Sequence, residues 1–73
     1  MNKARRNRLE EIKSKIEALM DELESVLDEE EDAREGMFEG SEMREKSEDA
    51  GYSIEIAIDN LNDAIDSIDS AVE

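Results

Sequence analysis

Apolar residues recur along the first half of the chain with the spacing of a helical stripe. Leu9, Ile12, Ile16, Leu19, Leu23 and Val26 alternate steps of three and four, the heptad rhythm that puts them on one helical face. Met20 and Leu27 widen that stripe on one side. Glu30 stands where the next apolar residue belongs, and Ala33 resumes the phase. No proline interrupts the chain, so the pattern predicts a helix from about Lys3 to Arg34, roughly 45–50 Å long at 1.5 Å per residue.

A second stripe strengthens towards the other end. Ile54, Ile58, Leu61, Ile65, Ile68 and Val72 alternate steps of four and three, and Ala57, Ala64 and Ala71 recur every seven residues beside them. Such an alanine row lets another helix approach closely. Between Ser41 and Ser53 the rhythm is weaker. Met43 and Ala50 are in phase, but Lys46 and Ser47 are not core residue types. Gly51 costs a helix about 1 kcal/mol relative to alanine, so it predicts either a kink or the true start of the strong helix. The second helix is therefore expected over about 42–73.

The turn lies between the stripes, over 35–41. Gly36 is a candidate left-handed C-cap, and Ser41 followed by Glu42 is a candidate N-cap with a favourable first-turn charge. Met37 and Phe38 are apolar residues in this loop, expected to fold back over the end of the core. So short a connection forces antiparallel packing. Charge agrees, because residues 1–15 carry six basic and two acidic side chains, whereas residues 59–73 carry Asp59, Asp63, Asp66, Asp69 and Glu73 and no base. The prediction is an all-α chain forming one domain, 1–73: an antiparallel helical hairpin. Each stripe is three heptad positions wide, more than a two-helix seam buries. A homodimer, two hairpins in a four-helix bundle, is the expected way to cover the remainder.

Composition narrows the chemistry. The 73 residues include 23 acidic and 9 basic side chains, a formal charge of −14, with no Cys or His. That leaves no disulfide and none of the usual zinc or haem ligands. An excess of carboxylates opposes direct contact with nucleic acid or an anionic membrane and favours a protein partner with a basic surface. No apolar run spans a bilayer, and the start Met1-Asn2-Lys3-Ala4-Arg5-Arg6 lacks a signal-peptide core, so the chain reads as cytoplasmic.

No catalytic residues are expected. The serines have no histidine to activate them. Asp28, Glu30, Asp32 and Glu39 match positions 1, 3, 5 and 12 of a calcium loop, but Ala33 takes the place of the required glycine and the heptad keeps the stretch helical. Glu42, Glu45, Glu48 and Asp49 share a helical spacing suited to magnesium, without any glycine-rich phosphate loop; a solvated acidic face explains them as well. No metal site and no cofactor is therefore expected. Lys3, Arg5, Arg6 and Arg8 form the one basic cluster, read as neutralising the facing Asp row. Residues 16–40 hold eleven acidic side chains and one Arg, and carboxylates spaced along a rigid helix can imitate the phosphates of a duplex.

Asp28-Glu29-Glu30-Glu31-Asp32-Ala33, Gly40-Ser41-Glu42, and the run from Ile58-Asp59-Asn60-Leu61 to Ile65-Asp66-Ser67-Ile68 together resemble small acidic two-helix proteins of bacteriophages and prophages. Met37-Phe38 stands where such proteins commonly have a proline. The resemblance implies a phage accessory protein, of a kind that includes inhibitors of host defence such as anti-CRISPR proteins. The expected function is non-enzymatic: an inhibitor or adaptor, a DNA mimic, docking on a basic nucleic-acid groove. Its candidate acidic surface is Asp21, Glu24, Asp28, Glu31, Asp32 and Glu35. The apolar interface is expected from Leu9, Ile12, Ile16, Leu19, Leu23 and Val26 with Ile54, Ile58, Leu61, Ile65, Ile68 and Val72. The alternatives are a coiled-coil dimerisation or scaffold module, and an oligomeric nucleotide or metal binder using Arg5, Arg6 and Arg8.

Overall fold

The computed structural model describes residues 1–73 as two α-helices, α1 over Lys3–Glu35 and α2 over Glu42–Val72, packed against each other as an antiparallel hairpin. The Cα framework extends over 55 × 15 × 11 Å, a rod one hairpin thick. α1 starts directly after Asn2, whose backbone is extended and whose side chain accepts a hydrogen bond from the Arg5 N–H. Ser41 does the same for α2, accepting from the Arg44 N–H at 3.1 Å. These caps satisfy donors that the first helical turn leaves free. No helix is long and apolar enough to cross a membrane.

The turn differs in detail from its prediction. Gly36 is right-handed, with φ −84° and ψ −1°. The end of α1 instead tightens, as Gly36 and Met37 donate their N–H groups to the carbonyls of Ala33 and Arg34, which supplies partners for late carbonyls without a left-handed residue. The left-handed residue is Gly40, φ +74°, inside a turn closed by the Ser41 N–H donating to the Phe38 carbonyl. Arg44 reaches back to donate to the Met37 carbonyl. Phe38 does not fold over the core; it is 89% exposed, because the turn is held by these backbone bonds and leaves no apolar recess for its ring.

The seam between the helices is narrow. From α1 it takes Leu9, Lys13, Ile16, Met20, Leu23, Leu27, Glu30 and Arg34, all half-buried at alternating steps of four and three. From α2 it takes Arg44, Ser47, Gly51, Ile54, Ile58, Leu61, Ile65, Ile68 and Val72. Met20 and Leu27 therefore lie in the seam itself. Ile12, Leu19 and Val26, expected within the stripe, stand to one side and remain 42%, 52% and 48% exposed. Only Ile65 among the apolar side chains is buried. A 33-residue helix closes on so thin a core because its composition is rich in Glu, Lys, Arg, Leu and Ala, all strong helix formers.

Candidate functional site

The seam's register is anchored by polar contacts at both ends. Near the turn, Arg34 donates from Nε to the Ser47 hydroxyl at 3.1 Å and from a terminal nitrogen to the Ser47 carbonyl at 2.9 Å. The Ser47 hydroxyl in turn donates to Glu30 at 2.8 Å. Ser47 is 5% exposed, and no buried side-chain polar atom in the chain lacks a partner. Gly51 makes this layer possible. A Cβ at position 51 would come within 2.7 Å of the Arg34 guanidinium and 3.5 Å of Leu27. The glycine neither starts nor interrupts α2, which runs through it; its missing side chain is the space Arg34 occupies.

At the far end, Lys13 and Asp69 form an ion pair at 2.7 Å. The hydrogen bond that Lys13 donates to Asp69, reinforced by the charges of Asp69, Glu10 and Glu17, raises the Lys13 pKa against a smaller opposing effect of burial. Two further ion pairs, Arg44–Glu48 and Lys46–Glu42, run along α2 alone. Lys3, Arg5, Arg6 and Arg8 make no ion pair, which corrects the reading that they neutralise the Asp row. The register explains this. With Arg34 across from Ser47, Leu9 comes opposite Val72, so the first turns of α1 extend beyond the end of α2. Arg5 and Arg8 instead line a shallow open hollow with Met1, Leu9 and Ile12.

The two flanks of the seam have opposite chemistry. Successive helical residues turn by about 100°, so the residues before Lys13, Met20, Leu27 and Arg34 project about 90° from the seam. In an antiparallel pair, the residues before Gly51, Ile58, Ile65 and Val72 fall on the same flank. This apolar flank comprises Ile12, Leu19, Val26 and Ala33 from α1, and Ala50, Ala57, Ala64 and Ala71 from α2, with Met43 continuing the row.

The opposite flank is acidic. From α1 it carries Glu10, Glu17, Asp21, Glu24, Asp28, Glu31 and Glu35; from α2, Glu45, Glu48, Glu55, Asp59, Asp66, Asp69 and Glu73. That is 14 of the 23 acidic residues. Glu17, Asp21 and Glu24 line an open groove with Asn62 and Asp69, floored by Met20 and Ile65. Of the predicted acidic surface, Asp21, Glu24, Asp28, Glu31 and Glu35 lie on this flank, all exposed. Asp32 lies further round, on the outer side of α1.

Leu9, Ile16, Leu23, Ile54, Ile58, Leu61, Ile65, Ile68 and Val72 are in the seam, whereas Ile12, Leu19 and Val26 are on the apolar flank. Asp28, Glu30 and Asp32 are helical, so they do not form a calcium loop, and no group of three or more acidic side chains is placed to hold a metal ion. Ser25 and Ser70 donate to the carbonyls of Asp21 and Asp66 one turn earlier, ordinary helix-surface behaviour. Ser47 is the exception. The sequence signal for it was the coincidence of two breaks in the apolar rhythm, Glu30 on one helix and Ser47 on the other, at one level of the hairpin.

Fold and flanks together define a two-faced helical hairpin, acidic on one side and apolar on the other. Comparison with protein-family models, curated proteins and solved structures found no match.

Proposed function

We propose that the chain is a non-enzymatic binding module whose acidic flank docks on a basic, nucleic-acid-handling surface of another protein. Within the phage resemblance it acts as an inhibitor or adaptor. The observation carrying this reading is the gathering of 14 of 23 acidic residues on one flank, where mutual repulsion costs stability and a basic partner would relieve it. Asp21, Glu24, Asp28, Glu31 and Glu35 space five charges over about 21 Å of helix, one per ~5 Å, against one per 3.4 Å along a single strand of duplex DNA.

The test combines Glu24→Lys, Asp28→Lys and Glu31→Lys in one variant. The wild type is used to capture proteins from a bacterial lysate, and duplex DNA is added as competitor. DNA should displace the captured protein, and the variant should bind it at least tenfold more weakly with unchanged helical circular dichroism. Equal binding by the variant, or capture insensitive to DNA, overturns the proposal. The exposed row Ile12, Leu19 and Val26 favours a second reading, a dimerisation or scaffold module. On that reading Leu19→Asp or Val26→Asp abolishes assembly and function together, while the acidic substitutions leave both intact.

A further inference from the structure

We infer that the apolar flank is the contact surface of a two-fold homodimer, in which α1 packs antiparallel on α1 of a second copy with Leu19 at the axis. A four-helix bundle of this kind needs each hairpin to offer a face perpendicular to its own seam, and the row Ile12, Leu19, Val26 projects that way.

Charge selects a second copy as the occupant. The residues bordering the apolar row on the outer side of α1 are Arg8, Lys15, Glu22 and Glu29, and on α2 they are Lys46, Ser53, Asn60 and Ser67. In a chain of formal charge −14, this one flank is almost free of acids. Its α1 border is self-complementary. Reversing α1 about Leu19 brings Ile12 level with Val26, and sets Arg8 and Lys15 within one residue of the levels of Glu29 and Glu22. An apolar partner of another kind would not require that symmetry.

The same reversal treats the whole molecule's charge favourably. Residues 1–19 and 62–73, which form the terminal half, sum to −1, whereas residues 20–61 at the turn end sum to −13. An antiparallel pair sets each strongly charged half against a nearly neutral one. A dimer with the two turn ends together would set −13 against −13. Size is also adequate, since a face of 55 by 15 Å offers about 800 Å², what each partner contributes to a standard interface.

The experiment uses light scattering and engineered cysteines, which the wild type lacks. The wild type should have twice the 8.3 kDa chain mass, 16.6 kDa, at submillimolar concentration. Facing helices about 8–10 Å apart, each with a Cα radius of about 2.3 Å, leave facing Cα atoms about 3.4–5.4 Å apart, overlapping the span of a disulfide. Leu19→Cys should therefore cross-link to itself on mild oxidation. Ile12→Cys and Val26→Cys should each stay uncross-linked alone and join when mixed. A monomeric wild type overturns the inference. So does a dimer in which Ile12→Cys or Val26→Cys joins to itself, or in which the mixed pair does not join. The Ile12–Val26 pair decides the arrangement even if Leu19→Cys weakens assembly. None of these readouts depends on the acidic flank, so this inference can fail while the proposed function stands.

Discussion

Gly51→Ala is the substitution on which two local effects compete most directly. In a solvated helix it would stabilise α2 by about 0.8–1.0 kcal/mol. Here the added Cβ would stand 2.7 Å from the Arg34 guanidinium, closer than real contacts allow, so the guanidinium must shift. A shift that clears the Cβ weakens or breaks its hydrogen bonds to the Ser47 hydroxyl and carbonyl. Arg34 is half-buried, so solvent screening brings these bonds below the usual range for charged donors, to about 1 kcal/mol each. The Ser47 hydroxyl keeps Glu30, which limits the loss. In the wild type, Gly51→Ala should therefore be neutral or cost up to about 1 kcal/mol. In an Arg34→Ala background nothing is displaced, and the same substitution should stabilise by about 0.5–1 kcal/mol.

The double-mutant cycle should give a coupling of about 0.5–2 kcal/mol, read by urea denaturation of the four proteins at one fixed concentration so that self-association does not distort the comparison. For a domain of this size, 1 kcal/mol moves Tm by about 4–8 °C. Equal stabilisation by Gly51→Ala in both backgrounds would refute the reasoning, because it would mean Arg34 does not occupy the space above Gly51.

Three further substitutions test the seam, the turn and the ion pair. Ile65→Ala removes the one buried apolar side chain, 8% exposed, and should cost about 2 kcal/mol, the low end for such truncations because a thin seam can collapse; Phe38→Ser, at 89% exposure, should change thermal stability by less than about 0.5 kcal/mol. Because the folded Lys13 pKa is raised above 10.5, the stabilisation from its pair with Asp69 is fully present below the unfolded pKa and is lost as pH rises through the higher folded value. Subtracting a Lys13→Met control from wild-type melts should thus show a constant difference at neutral pH that fades only above about 10.5; a difference already fading between pH 7 and 9 would refute the assignment.

The two helices, their antiparallel packing and the position of the turn were legible in the periodicity, because heptad spacing and helix-forming composition act locally. The choice of seam was not. With an apolar stripe three positions wide, Leu9, Ile16 and Leu23 can pair with either Ile12, Leu19 and Val26 or with Lys13, Met20 and Leu27. On apolarity the first set wins. The structure takes the second, which places Glu30 and Arg34 beside Ser47 and Gly51, and Lys13 beside Asp69. Those contacts link residues 13 to 56 positions apart, beyond the reach of a local pattern. The reason for a glycine at position 51 was not legible either, since its vacancy has meaning only once Arg34 is known to lie across from it. The acidic surface was partly legible. Five of its six named residues share a flank, but the matching acidic row of α2 emerges only when the register is set.

The overhang of α1 past Val72 gives the rod a permanent electric dipole. Lys3, Arg5, Arg6 and Arg8 sit at one tip and make no ion pair, while the acidic excess is concentrated towards the turn of a body whose framework extends 55 Å. Approaching a basic surface, a single hairpin would be turned by the field so that its looped end leads, before any contact forms. Two hairpins paired head to tail cancel that moment and lose the preference. Self-association would therefore alter the geometry of encounter with a partner as well as the number of acidic flanks presented to it.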